Sequence, residues 1–119
     1  MIEGGLHMEW KEITTIEEWN EILEKSAEKG QVILKHSTTC PVSTNALNEY
    51  NDYLADQPNS NLDYTLVKVR ESRPVSNQIE ADLGVKHESP QIIYIQDKAK
   101  YWSATHWSVT KAHIKAVID

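Results

Sequence analysis

A single cysteine, no phenylalanine and no long apolar run mark this 119-residue sequence. One thiol, Cys40, can close no internal disulfide, so packing must hold the fold, and the reading is a protein of a reducing cytoplasm. The missing apolar run argues against a membrane-spanning helix, and no signal-peptide pattern opens the chain. Basic residues are outnumbered 12 to 18, for a formal charge of -6. That balance argues against nucleic acid or an anionic membrane as partner. Internal repeats and low-complexity tracts are absent. Met1 to His7 match no periodic pattern and precede a second methionine, so they read as a cloning remnant, with 8–119 as a single domain. Four tryptophans and five tyrosines stand where phenylalanine is missing, and the sequence alone offers no reason for it.

The rest of the chain alternates between two hydrophobic periods. Glu9 to Thr14 is weakly strand-like around Trp10 and Ile13. Thr15 to Lys29 predicts a helix: Thr15 and Glu18 form a capping box, Ile16, Trp19, Ile22, Leu23 and Ala27 recur at helical spacing, and Gly30 stops it. Gln31 to His36 opens with Val-Ile-Leu, the composition of a central strand. A helix from Pro41 places Val42, Ala46, Leu47, Tyr50 and Leu54 on one face and ends near Gln57-Pro58. Asp63 to Arg70 is a second strand, making a parallel βαβ unit. A short helix from Ser72 and Pro74 carries Val75, Ile79 and Leu83 and closes at Gly84. Gln91 to Gln96 and Lys100 to Ala104 form an antiparallel hairpin about Asp97 to Ala99. A last helix spans Ser108 to Ile118, with Val109, Ala112, Ile114, Val117 and Ile118 available for the core. This order predicts an α/β fold of three layers, a mixed sheet of four to five strands with helices on both faces.

The one cysteine falls at the point this fold reserves for chemistry. Pro41 suits the first position of a helix, which makes Cys40 the N-cap. Unpaired backbone N–H groups and the helix macrodipole favour negative charge there, and the thiolate is the reactive form of cysteine. Ser43, three residues on, can offer a hydrogen bond from its hydroxyl or backbone N–H. A stabilised thiolate also leaves readily from a mixed disulfide, which suits a thiol that accepts a cap and is relieved of it. In open α/β sheets the ligand crevice lies outside the carboxyl ends of the parallel strands, and Cys40 follows one of those ends.

Thr39-Cys40-Pro41-Val42-Ser43 after a strand, and Ser89-Pro90-Gln91 opening the hairpin, together resemble the thioredoxin superfamily from Met8 onward. The resemblance implies that Pro90 corresponds to the superfamily's cis-proline and that Ser89 and Pro90 flank Cys40. Ser43 stands where thioredoxins have a second cysteine, and the 31 to 36 strand has no acid to act as a buried proton acceptor. An outside thiol must therefore resolve any mixed disulfide on Cys40. The T-C-P-V-S motif, the early Trp-Lys-Glu-Ile and the size are similar to the monothiol bacilliredoxins of the YtxJ-like family. That resemblance implies a cytoplasmic enzyme with no bound cofactor and with bacillithiol as cosubstrate. Its partners would be bacillithiol, bacillithiolated proteins and an NADPH-dependent bacillithiol disulfide reductase. The substrate-binding residues would be Thr38, Thr39, Pro41, Val42, Ser43, Ser89 and Pro90. The sugar and malate of bacillithiol would find hydrogen bonds and positive charge among Thr38, Thr39, Lys35, His36, Arg73 and His87.

Two other readings fit the composition. A monothiol glutaredoxin-like protein could share an iron-sulfur cluster between protomers, although one cysteine supplies one ligand and Pro41 stiffens the turn. A noncatalytic interaction module would keep the fold with an unreactive Cys40. Zinc is not expected, because no pair among His36, Cys40, His87, His106 and His113 has the short spacing of a structural site.

Overall fold

The computed structural model describes residues 7–118, so all but His7 of the expected cloning remnant lies outside the described residues. The elements are β1 (Lys11–Glu12), α1 (Ile16–Lys25), β2 (Gln31–His36), α2 (Pro41–Leu54), β3 (Asp63–Lys68), α3 (Arg73–Leu83), β4 (Gln91–Gln96), β5 (Ala99–Thr105) and α4 (Lys111–Ile118). A 3-10 turn, His106–Ser108, separates β5 from α4.

Five strands form one sheet in the order β1-β3-β2-β4-β5. The β2, α2 and β3 segments form the expected parallel crossover, with Gln31 opposite Asp63 and His36 opposite Lys68. On its other side β2 runs antiparallel to β4, with Lys35 opposite Gln91. All six residues of β2 are buried, as a central strand covered on both faces requires. Val32, Leu34, Leu66 and Ile92 join Ala46, Tyr50 and Leu54 of α2 and Ile114 of α4 on one face. Ile33, Val67, Ile93 and Ile95 join Trp19 and Ile22 of α1 and Val75 and Ile79 of α3 on the other. The fold is a three-layer α/β arrangement.

Local chemistry explains the boundaries. Thr15 Oγ1 accepts the Glu18 N–H at 3.1 Å while Glu18 reaches back to the Thr15 N–H, completing the capping box. The first helix stops at Lys25 rather than Lys29, and Ala27 is exposed. Ser26 is the reason: its hydroxyl donates to Leu23 O at 2.6 Å, and its Oγ and carbonyl receive the N–H groups of Lys98 and Asp97. The end of α1 is thus tied to the β4–β5 turn. Gly30 has a space requirement: a Cβ there would meet Leu62 at 2.5 Å and Tyr94 at 2.9 Å. Gly84 ends α3 in the left-handed region, at φ 65. The last helix is shorter than expected, and Ala112 is exposed.

Tyrosine replaces phenylalanine in the core for a visible reason. Tyr50 is fully buried, and its hydroxyl donates to Thr65 O at 3.0 Å. Tyr64 donates to Asn59 O at 2.7 Å, and Tyr53 accepts the Asn59 N–H at 2.9 Å. These rings fill apolar space while their hydroxyls find polar partners, Tyr50 in β3 and Tyr53 and Tyr64 in the loop before it, as buried phenols require.

Candidate active site

Cys40 is the N-cap of α2, with extended backbone at φ -106 and ψ 122, followed by Pro41 in the first turn. The residue is partly exposed, and its side chain makes no cap hydrogen bond. Its backbone N–H donates to Ser37 O at 3.4 Å and its carbonyl accepts from Thr44 N at 3.0 Å. The residue is therefore held by its backbone at a partly exposed rim.

The parallel register builds that rim from two turns. His36 and Lys68 end side by side, so the turns that follow them meet. Thr38 Oγ1 donates to Glu71 at 3.1 Å, and Arg70 donates to Thr39 Oγ1 at 3.3 Å. Arg70 and Glu71 are the site residues that sequence reading passed over. The parallel pairing of β2 with β3 was the available signal, since it places whatever follows 68 beside whatever follows 36. Arg73, the cation singled out instead, is exposed at the start of α3.

The antiparallel neighbour supplies the third segment. Gln91 pairs with Lys35, so Ser89 and Pro90 lie beyond the carboxyl end of β2, on the side where the chain turns toward Cys40. The Ser89–Pro90 peptide is cis. Pro90 is buried, and its carbonyl accepts the His106 N–H at 3.0 Å. That bond anchors the 3-10 turn, which packs against α2 and leaves Trp107 65% exposed.

Three expected ligand contacts are placed differently. Ser43 is completely buried, whereas Val42 is only half-buried, because α2 turns Ser43, Ala46, Tyr50 and Tyr53 toward the sheet. Its hydroxyl lies 2.7 Å from His36 Nδ1 and accepts the Ser37 N–H at 2.9 Å. It holds the turn and makes no bond to the sulfur. His36 is 6% exposed. Burial chiefly lowers its pKa, the Ser43 hydrogen bond raises it, Lys68 lowers it and Glu71 raises it. Lys35 is also buried, on the opposite face, donating to Ser76 O at 3.1 Å and meeting His87 Nδ1 at 3.3 Å. Neither His36 nor Lys35 presents a surface charge to a ligand. His87 is half-buried, its pKa lowered first by burial and then by the Lys35 charge.

The arrangement offers one partly exposed cysteine at a helix N-terminus, preceded by two threonines that meet Glu71 and Arg70. His113 lies elsewhere, packing on Trp102 and approaching Ser108 O at 3.0 Å. Among the described residues no three His, Cys, Asp or Glu side chains converge as a metal site would need. No helix among them is long and apolar enough to cross a membrane.

Comparison with known proteins agrees with this geometry. A family model described as monothiol bacilliredoxin BrxC matches residues 11–114. A solved structure provisionally described as an oxidoreductase with a thioredoxin fold is 28% identical, with TM-score 0.77, covering 89% of this chain and 90% of its own. Thioredoxin from Malassezia sympodialis superposes with TM-score 0.75 at 13% identity, covering 99% and 92%. Thioredoxin NaTrxh from Nicotiana alata does so with TM-score 0.72 at 14%, covering 96% and 93%. The two thioredoxins share the fold alone.

Proposed function

The chain belongs to the monothiol bacilliredoxin family, and from that premise we propose that it removes bacillithiol from protein mixed disulfides through Cys40. The observation that carries the proposal is the setting of the one thiol. Cys40 is partly exposed at the start of α2, and the residue three positions on is a buried serine rather than a resolving cysteine. In the first step the Cys40 thiolate attacks the bacillithiol sulfur of a capped protein. The protein sulfur leaves as thiolate and takes a proton, and a Cys40–bacillithiol disulfide remains. In the second step the thiolate of free bacillithiol attacks the bacillithiol sulfur of that adduct. Bacillithiol disulfide forms and the Cys40 thiolate is released. Both steps exchange one S–S bond for another, so no net electrons are consumed until an NADPH-dependent reductase recycles the bacillithiol disulfide.

Thr38, Thr39, Pro41, Val42, Ser89 and Pro90 would line the bound disulfide, with Arg70 as the cation nearest the threonines. Ser43 would act from beneath. The reading is tested by turnover of a bacillithiol-capped protein with wild type and Cys40→Ala, using glutathione as the comparison thiol. Turnover is expected only with Cys40 present and faster with bacillithiol. Turnover that survives Cys40→Ala would rule out the nucleophile assignment, and equal rates with glutathione would rule out the cosubstrate.

A further inference from the structure

Neither exchange step above gives a task to the two charges at the turn before Cys40, and both are pinned to successive residues of that turn. Thr38 Oγ1 donates to Glu71 at 3.1 Å, and Arg70 Nη1 donates to Thr39 Oγ1 at 3.3 Å. Thr39 is itself held: its hydroxyl lies 3.4 Å from Ser37 Oγ, and the Cys40 N–H closes the turn onto Ser37 O. The guanidinium is thereby tethered to the residue that adjoins the nucleophile. Consecutive Cα atoms are about 3.8 Å apart, so with one short side chain on each residue Arg70 Nη1 lies within about 12 Å of the sulfur at most. A thiol compound that carries a sugar and a dicarboxylic acid is long enough to bridge that separation.

Arg70 has the capacity to hold such a compound. A guanidinium carries five N–H donors in a planar fork that fits a carboxylate bidentately. Arg70 uses one of them on Thr39, is exposed, and forms no ion pair with any described residue. Neighbouring cations are committed: Lys68 pairs with Glu12 at 3.6 Å, and Lys35 is buried against Ser76 and His87. Arg73 stands at the start of α3, within electrostatic reach of His87. The chain as a whole carries a formal charge of -6, so an anionic compound is repelled until a local cation meets it.

We propose that Arg70 is a specificity-determining residue, whose guanidinium, held by Thr39, receives a carboxylate of the small thiol compound that exchanges at Cys40 and so selects carboxylate-bearing thiols over neutral ones. This rests on Cys40 as the reacting thiol, and it assigns recognition of the compound's acid end to one side chain. The contact is a hydrogen-bonded ion pair, so no covalent bond changes at Arg70 and the exchange steps keep their balance. Glu71, tied to Thr38, is the like charge that a misplaced carboxylate meets.

The test uses the full chain and two disulfide reagents that a cysteine thiolate attacks directly, anionic dithiobis-nitrobenzoate and neutral dithiodipyridine. The ratio of their exchange rates at pH 7 is read in wild type, Arg70→Gln, Arg70→Lys and Glu71→Gln. A change in Cys40 ionisation moves both rates together, so the ratio isolates recognition of the carboxylate. It is expected to fall about fivefold in Arg70→Gln, the upper end for an exposed ion pair, to fall less in Arg70→Lys and to rise in Glu71→Gln. In wild type it is expected to decline as salt is raised. On a bacillithiol-capped protein, Arg70→Gln is expected to raise KM and leave kcat in place, as loss of uniform binding does. A ratio unchanged in Arg70→Gln, or lowered equally by Glu71→Gln as a merely loosened turn would do, overturns the proposal. Neither reagent contains bacillithiol, so the two failures are separable: exchange at an unaltered ratio removes Arg70 alone, whereas exchange with neither reagent removes Cys40 as the nucleophile.

Discussion

Lys35 is a lysine with no surface of its own. Its ammonium sits between β2 and α3, and burial pushes its pKa down to about 8, against an opposing pull from Glu80. Between that value and the usual 10.5 the unfolded chain holds a proton that the native protein has released. Stability therefore rises with pH across this window, and below it the full penalty of a buried charge is present. Relative to Lys35→Met, wild type is expected to gain about 3 kcal/mol between pH 7.5 and pH 10.5, read from urea unfolding of both proteins at each pH. A difference that stays constant with pH would mean the ammonium reaches water. The Val-Ile-Leu run already marks β2 as a central strand, and burial of both its faces takes Lys35, expected among the ligand-facing charges, away from solvent.

At the level of elements, local signals and long-range ones divide cleanly. The capping box at Thr15, the Pro41 start of α2 and the Gly84 stop of α3 depend on residues within one turn, and all three stand where the sequence places them. Thr15→Ala is expected to cost about 1 kcal/mol of unfolding free energy, with Thr15→Ser nearly neutral, checked by chemical denaturation. Full retention of stability in Thr15→Ala would show that Glu18 and the surrounding packing suffice. The C-terminus of α1 was less legible because its stop is a long-range one. Ser26 bonds the β4–β5 turn, 72 residues away. The same holds for the face of α2. Helical spacing admits either Val42 or Ser43 as the inward residue, and an apolar pattern favours the valine. His36 and Ser37 supply the hydrogen bonds that make burial of the serine acceptable.

For the whole molecule, the sheet gathers three turns that are distant in sequence at one end: 37–40, 69–72 and 87–90. Two of the groups collected there, His36 and His87, are held neutral chiefly by burial. Their native pKa values lie below 6.5, so the unfolded chain takes up protons first as the solution is acidified. The stability they contribute is complete above pH 6.5 and is lost as pH falls through their native values. Urea midpoints are expected to drop between pH 7 and pH 5, and His36→Asn to drop less. An equal drop in both would place the loss in other groups. The carboxylates whose pKa is lowered, among them Asp63 and Glu18, act below that window. What the linear sequence determined was everything encoded in short range: the order of strands and helices, the strand that leads to Cys40, and the N-cap position of the thiol. Those follow from periodicity and from residues that cap or break a helix. Tertiary structure decided what meets the turn before the thiol, bringing Arg70 and Glu71 to Thr39 and Thr38 through parallel register and pairing Ser43 with His36 in the interior. Hydrogen bonds between segments set those positions, and no spacing along a single chain records them.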